Sequence, residues 1–297
     1  MPSLSECIPW MTVSLAESVA IVALNLCAIT VLTRNRNLRK RSMYLVINLA
    51  VIDMFIGVIA VYHLFYLPGV DCKLWKRQTE VGANNFMHVM MLVLFTASLT
   101  NIAIIALERV HALFFPFRHR VLKKCVYRLI IAIVWVTSGL GPIASELLLQ
   151  TDNGYSIYLK YPFISICLLI ICVSYTSIVI KVRRGAQRQH NGAASRERKL
   201  TMTLLIVTVV SLLCYLPFVI WRSVIDISNI KILLSLPPSV RFHLRYAFVI
   251  SFYANSLANP ILYTIRLPEY RSALVALFSK RPQQQRQVAV FPLRDMS

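Results

Sequence analysis

Residues 246–265 read YAFVISFYANSLANPILYTI. Twenty residues pass without a charge, and about 20 apolar residues are what a helix needs to cross the hydrocarbon of a bilayer. Six more windows of this kind precede it, at 11–33, 42–65, 82–107, 129–145, 161–180 and 200–221. Of the 44 charged residues, only Glu17 and Asp53 fall inside the seven windows. Backbone groups in lipid must be satisfied within the segment, so each window is expected to be a helix. The short alternating segments of a membrane barrel are missing. The fold class is therefore an all-α membrane protein, a bundle of seven transmembrane helices.

Composition supports the same reading. The chain has 297 residues, 57% hydrophobic and 15% charged, with a formal net charge of +20. Soluble domains carry about 25% charged and 45–50% apolar residues, so a water-soluble globule is excluded, and disorder more firmly still. Segments 34–41, 108–128, 181–199 and 266–297 hold 24 of the 32 basic residues. The positive-inside rule places them in the cytoplasm, with the N-terminus outside and the C-terminus inside. The +20 charge is then chiefly a topology signal facing anionic lipid, and no basic soluble domain exists to bind nucleic acid. The first window is span-length and no basic residue precedes it, so it reads as an uncleaved signal-anchor in a plasma-membrane protein.

With caps and interfacial turns the spans extend to about 11–33, 42–65, 82–111, 126–149, 159–184, 197–222 and 245–265. A further stretch, 267–278, repeats apolar residues at helical spacing and reads as an amphipathic helix on the cytoplasmic membrane surface. Residues 1–280 form one transmembrane domain, and 281–297 a polar, disordered tail. Only Cys7 and Cys72 fall outside the cell, where they either pair or remain free thiols; the expectation is a Cys7–Cys72 disulfide. No HExxH, GxSxG or P-loop pattern is present, so no enzyme is expected.

The polar residues within the spans carry the functional information. The third span ends Glu108-Arg109-Val110. The last holds Asn259-Pro260-Ile261-Leu262-Tyr263, and the sixth Cys214-Tyr215-Leu216-Pro217. The second reads Asn48-Leu49-Ala50-Val51-Ile52-Asp53, the first contains Asn25 and the fourth Trp135. Taken singly these have bland accounts: an arginine at a span end snorkels to lipid phosphates, and an internal proline kinks a helix. An isolated carboxylate at mid-membrane is costly, so Asp53 must be protonated, paired or cation-bound.

Together, in order and on the same side of the membrane, the motifs resemble the rhodopsin-like (class A) G-protein-coupled receptors over roughly residues 11–280. The resemblance implies a receptor that binds an extracellular small molecule, lipid or peptide and activates a heterotrimeric G protein as helix six swings outward. It implies a sodium ion, as an allosteric modulator, among Asp53, Ser98, Asn255, Ser256 and Asn259, and otherwise no cofactor. It implies an activation switch of Glu108, Arg109, Tyr175, Glu197, Tyr215, Pro217, Pro260 and Tyr263, with Glu197 as the acid facing Arg109 from helix six. Arg109, Pro116 and Phe117 would contact the G protein. His88, Met91, Phe95, Phe218, Trp221, Arg222, Val249 and Tyr253 would line the ligand pocket. Met91 stands where amine receptors place an Asp, and Tyr253 where opsins carry the retinal Lys.

The chain also departs from the family pattern. Asn84 replaces the helix-three Cys, and the loop 146–160 contains no Cys, so the usual disulfide cannot form. Cys167 replaces the helix-five Pro, Tyr215 the switch Trp, Ser211 the Phe one turn below it, and Val110 the Tyr of the triplet. These shared absences resemble the melanocortin, cannabinoid, lysophospholipid and adenosine receptor cluster. The rival readings are a receptor fold that does not signal, such as a scavenger or heterodimer partner, and a membrane transporter.

Overall fold

The computed structural model describes residues 3–35, 38, 41–76, 81–151, 155–185, 192–227 and 235–279. Among them the helices are α1 (Leu4–Arg34), α2 (Met43–Val61), α3 (Leu67–Asp71), α4 (Val81–Phe114), α5 (Pro116–Val121), α6 (Lys124–Thr151), α7 (Tyr155–Gly185), α8 (Gly192–Ile227), α9 (Pro238–Arg266) and α10 (Pro268–Phe278). A wide π turn, Tyr62–Tyr66, joins α2 to α3. Six of these helices, with α2 and α3 counted as one, are long and apolar enough to cross a membrane. The seventh span is α9, whose N-terminal turns carry Arg241, Arg245 and His243. The helices overrun the apolar windows at nearly every end. Hydropathy marks what lies in hydrocarbon, whereas the backbone ladder continues into the headgroup layer, where charged side chains are tolerated.

Each helix turns one stripe inward. On α1 the buried residues Cys7, Met11, Ser14, Ser18, Ile21, Asn25, Ala28 and Leu32 recur every three or four positions. That stripe packs against α2 and α9. The α1–α2 approach depends on Gly57, where an added Cβ would lie 2.7 Å from Ile21 Cγ2. α4 is central and packs against α2, α6 and α7, while α8 pairs with α9.

Prolines set the irregular points. Pro68 has no N–H for the Leu64 carbonyl, and the widened Tyr62–Tyr66 turn absorbs this break in the ladder. Phe115 and Leu267 leave helical geometry immediately before Pro116 and Pro268, which ends α4 and α9 and starts two short helices. α10 is anchored by Tyr270, which is buried with its ring 6.0 Å from that of Tyr263. Burial pushes the Tyr270 phenol up to about 12. The tail 281–297 lies outside the described residues.

Candidate functional site

Pro260 organises the centre of the bundle. Lacking an N–H, it leaves the Ser256 carbonyl without its helical partner, and Asn25 Nδ2 of α1 donates to that oxygen at 2.9 Å. The turn so exposed presents Ser256 and Asn259 to α2. Ser256 Oγ donates to Asp53 Oδ1 at 2.9 Å and Asn259 Nδ2 to Asp53 Oδ2 at 2.6 Å. Asp53 has no solvent exposure.

The other two residues of the expected ion set lie in the same network, but on a different hub. Tyr215 of α8 reaches inward, and its hydroxyl receives Asn255 Nδ2 at 2.6 Å and shares a hydrogen bond of 3.0 Å with Ser98 Oγ. The phenol that replaces the family's indole thus ties α4, α8 and α9 together. Its ring packs with Phe95 and Phe252, at centroid distances of 5.4 and 5.3 Å. Asn25 Oδ1, Asn255 Oδ1 and Asn259 Oδ1 are buried without a hydrogen-bond partner. Buried acceptors of this kind normally find a donor, water or ion. Amide oxygens beside a carboxylate form a donor set suited to a hard monovalent cation.

A second polar junction was not legible beforehand. Asn101 lies in an apolar run of α4, yet its amide donates to the Leu45 carbonyl and accepts from Asn48 Nδ2, both at 3.0 Å. Trp135 Nε1 donates to Asn48 Oδ1 at 3.1 Å. The helix-two Asn and helix-four Trp of the sequence motifs are therefore direct partners.

At the end of α4 Glu108 serves three elements. Its Oε2 accepts from Arg109 Nε at 2.5 Å and pairs with the same guanidinium through Arg109 Nη2. Its Oε1 lies 2.6 Å from His119 Nε2 of α5 and accepts from the Tyr127 hydroxyl of α6 at 3.3 Å. Arg109 is only 5% exposed. Two turns of chain away, Phe117 projects from α5 with 81% exposure, beside exposed Pro116. Tyr175 reaches Thr208 of α8, hydroxyl to hydroxyl, at 2.5 Å. The Tyr263 hydroxyl is buried and unpartnered. The Glu197 side chain lies outside the described residues, as does that of Asn84.

The expected ligand-pocket residues share the opposite half of the bundle. Phe95 and Tyr253 are buried, Met91, Phe218, Trp221 and Val249 half-buried, and His88 and Arg222 exposed. The Phe218 ring packs tilted against Phe252 with centroids 4.7 Å apart, and the Tyr253 ring lies 6.5 Å from that of His63 on the π turn. Glu17, which the sequence marked only as an intramembrane acid, is buried on α1 with Oε2 unpartnered. At this end Cys7 and Cys72 form a disulfide, as expected. Around it Trp10 Nε1 donates to His243 Nδ1 at 2.8 Å, Ser239 Oγ to Glu6 Oε1 at 2.6 Å and the Tyr246 hydroxyl to Asp71 Oδ2 at 2.7 Å.

Arginine motif, proline-turn network and seven spans coincide with a known pattern. The model of the 7 transmembrane receptor (rhodopsin family) matches residues 24–154 and 145–263. The chain belongs to this receptor family. It is 29% identical to mouse somatostatin receptor type 2 over 160 residues, covering 50% of this chain and 42% of that protein. It is 25% identical to dog histamine H2 receptor over 302 residues, covering 91% and 80% respectively. With sheep adenosine receptor A3 it shares 22% over 311 residues and 93% of each chain. The chain spans less than half the length of the mouse and pig somatostatin receptors it matches. Relatives this distant, spread over three receptor types, assign no subgroup. Multi-pass membrane placement and the absence of covalent chemistry follow from the receptor family.

Proposed function

We propose that this receptor sits in the plasma membrane with its N-terminus outside, binds an extracellular ligand and activates a heterotrimeric G protein. The observation that carries the reading is the junction at the end of α4: a buried Arg109 held by Glu108, next to an exposed Phe117 on a short helix tethered to the same carboxylate. In the active state α8 moves away from α4, Arg109 leaves Glu108 and meets the G protein, and Pro116 and Phe117 dock against it. Tyr175, Tyr215, Pro217, Pro260 and Tyr263 transmit the change, since each sits on an element that must shift or at a hinge within it. The ligand shifts a pre-existing equilibrium between the two states.

The ligand enters the half of the bundle lined by His88, Met91, Phe95, Phe218, Trp221, Arg222, Val249 and Tyr253. The relatives' names point to somatostatin, histamine and adenosine. Met91 disfavours an amine held as amine receptors hold it, and Arg222 favours an anionic group. Asp53, Ser256, Asn259 and the unpartnered Asn255 Oδ1 would hold a sodium ion, which would neutralise the Asp53 carboxylate and favour the inactive state. Ser98 Oγ, which shares a hydrogen bond with the Tyr215 hydroxyl, keeps a lone pair that could also face the ion.

The test is nucleotide exchange on a panel of purified heterotrimeric G proteins, driven by full-length receptor in nanodiscs without ligand. Exchange above empty nanodiscs, lost in Arg109→Ala, is the expected result. No exchange with any G protein in either variant, at matched receptor density, favours a non-signalling partner or scavenger.

A further inference from the structure

His119 lies eleven residues after Glu108, on the helix that presents Phe117, and no sequence motif marks it. Its Nε2 lies 2.6 Å from Glu108 Oε1 and 3.3 Å from the Tyr127 hydroxyl. It is the contact by which α5 grips the carboxylate that also holds Arg109. A ring nitrogen this close to a carboxylate oxygen is a donor, as neutral Nε2–H or as imidazolium.

We propose that His119 is a positioning residue for the G-protein surface, holding the loop helix to Glu108, and that a proton on its ring favours release of Arg109 from the same carboxylate. The inference rests on the receptor reading above and adds a regulator, cytoplasmic pH.

The groups around the ring set the sign. From α4 these are Glu108, Arg109 and His111, whose ring centroid is 5.8 Å from that of His119. From α5 they are Arg118 and Arg120, and from α6 Tyr127 and the neighbouring Lys124. Arg41, from the turn before α2, bonds the Arg120 and Leu122 carbonyls at 3.2 and 2.5 Å and fixes the loop's far side. Glu108 is the single anion in this set. While Arg109 is bound there, an imidazolium would share one carboxylate with a guanidinium, amid further cations. Once Arg109 has left, the imidazolium becomes the counterion that Glu108 needs. The open state therefore binds the proton more tightly than the closed one. By linkage, acidification raises the open fraction and alkalinisation lowers it.

The experiment uses full-length receptor in nanodiscs, with Cys125 and Cys172, both exposed, replaced by Ser. Spin labels are placed through Val121→Cys on α5 and Met202→Cys on α8, two exposed positions, and distances are read by pulsed EPR at pH 6 and 7.5. Nucleotide exchange is measured in parallel. The wild type should show a wide-distance population about threefold larger at pH 6; one coupled proton allows at most about tenfold per pH unit. His119→Gln keeps a neutral donor to Glu108 and should show the short distance with no pH response. His119→Ala should broaden the short-distance peak at both pH values, because α5 loses its grip. A pH response retained in His119→Gln, or missing from the wild type, overturns the proposal. Distances that answer pH in a receptor that never drives exchange support the clasp and defeat the signalling reading. Exchange with flat distances does the reverse.

Discussion

Asp53 and Glu108 are both carboxylates that helix packing has removed from water, and their surroundings differ in kind. Asp53 is held by neutral donors, one on each oxygen, from residues one turn apart on α9. Glu108 is held by an arginine, a histidine and a tyrosine from three separate elements. Neutral donors fix a position and leave the negative charge to be balanced by a small cation. The Arg109 guanidinium balances the charge itself and can rotate away within α4, while His119 and Tyr127 can be withdrawn with α5 and α6. The first arrangement suits an ion site and the second suits a latch.

Glu108→Gln breaks this contrast hardest. It leaves Arg109 buried without a counterion, and removing one partner of a buried pair costs about 3–5 kcal/mol. Basal nucleotide exchange should rise tenfold or more, since about 1.4 kcal/mol is a factor of ten in the equilibrium, and the melting temperature in nanodiscs should fall. Unchanged exchange would mean that Arg109 is not restrained by Glu108. Tyr215→Phe comes next. It strips Ser98 and Asn255 of their shared partner, which should lower stability by about 1–3 kcal/mol. Because Arg109 remains held, thermal melting should register this loss far more than basal exchange does.

Asp53→Asn should cost less, within about 1 kcal/mol, because Asn259 can turn its unpartnered Oδ1 toward the new amide. Its signature is qualitative. Sodium chloride, compared with N-methylglucamine chloride, should raise the melting temperature of the wild type but not of this variant. An equal salt response in both would make Asp53 a purely structural acid. Tyr127→Phe should do least. It removes two long contacts, to Glu108 Oε1 and His119 Nε2, both 3.3 Å, and should shift melting by about 0.5–1 kcal/mol while leaving the pH response of His119 in place.

Much of this architecture could be read from the chain. Apolar windows holding only Glu17 and Asp53 as charges place all seven spans, because hydrocarbon tolerates little else. Pro260 with Asn255, Ser256 and Asn259 announces a polar turn facing Asp53, and the structure brings these residues together. What could not be read is geometry between distant segments. In sequence Tyr215 is only a replacement for the switch Trp; helix packing shows its hydroxyl bridging Ser98 and Asn255. His119 and Tyr127 are ordinary residues in a basic stretch until α5 folds back on α4. Asn101 is masked by its apolar neighbours. Glu6 and His243 stand 237 residues apart in sequence and 3.3 Å apart in space. The side chain of Glu197, the acid on α8, lies outside the described residues, so the latch is defined from the α4 side.

The disulfide has a consequence for biosynthesis. Cys7 and Cys72 lie 65 residues apart, so α1, α2 and the turn between them close into a covalent ring that needs nothing from the remaining five spans. Synthesis delivers both thiols before α4 begins, and the first hairpin can be sealed while the rest of the chain is still being made. A protease that cuts between α1 and α2 later in the receptor's life produces two fragments that stay joined until a reductant separates them.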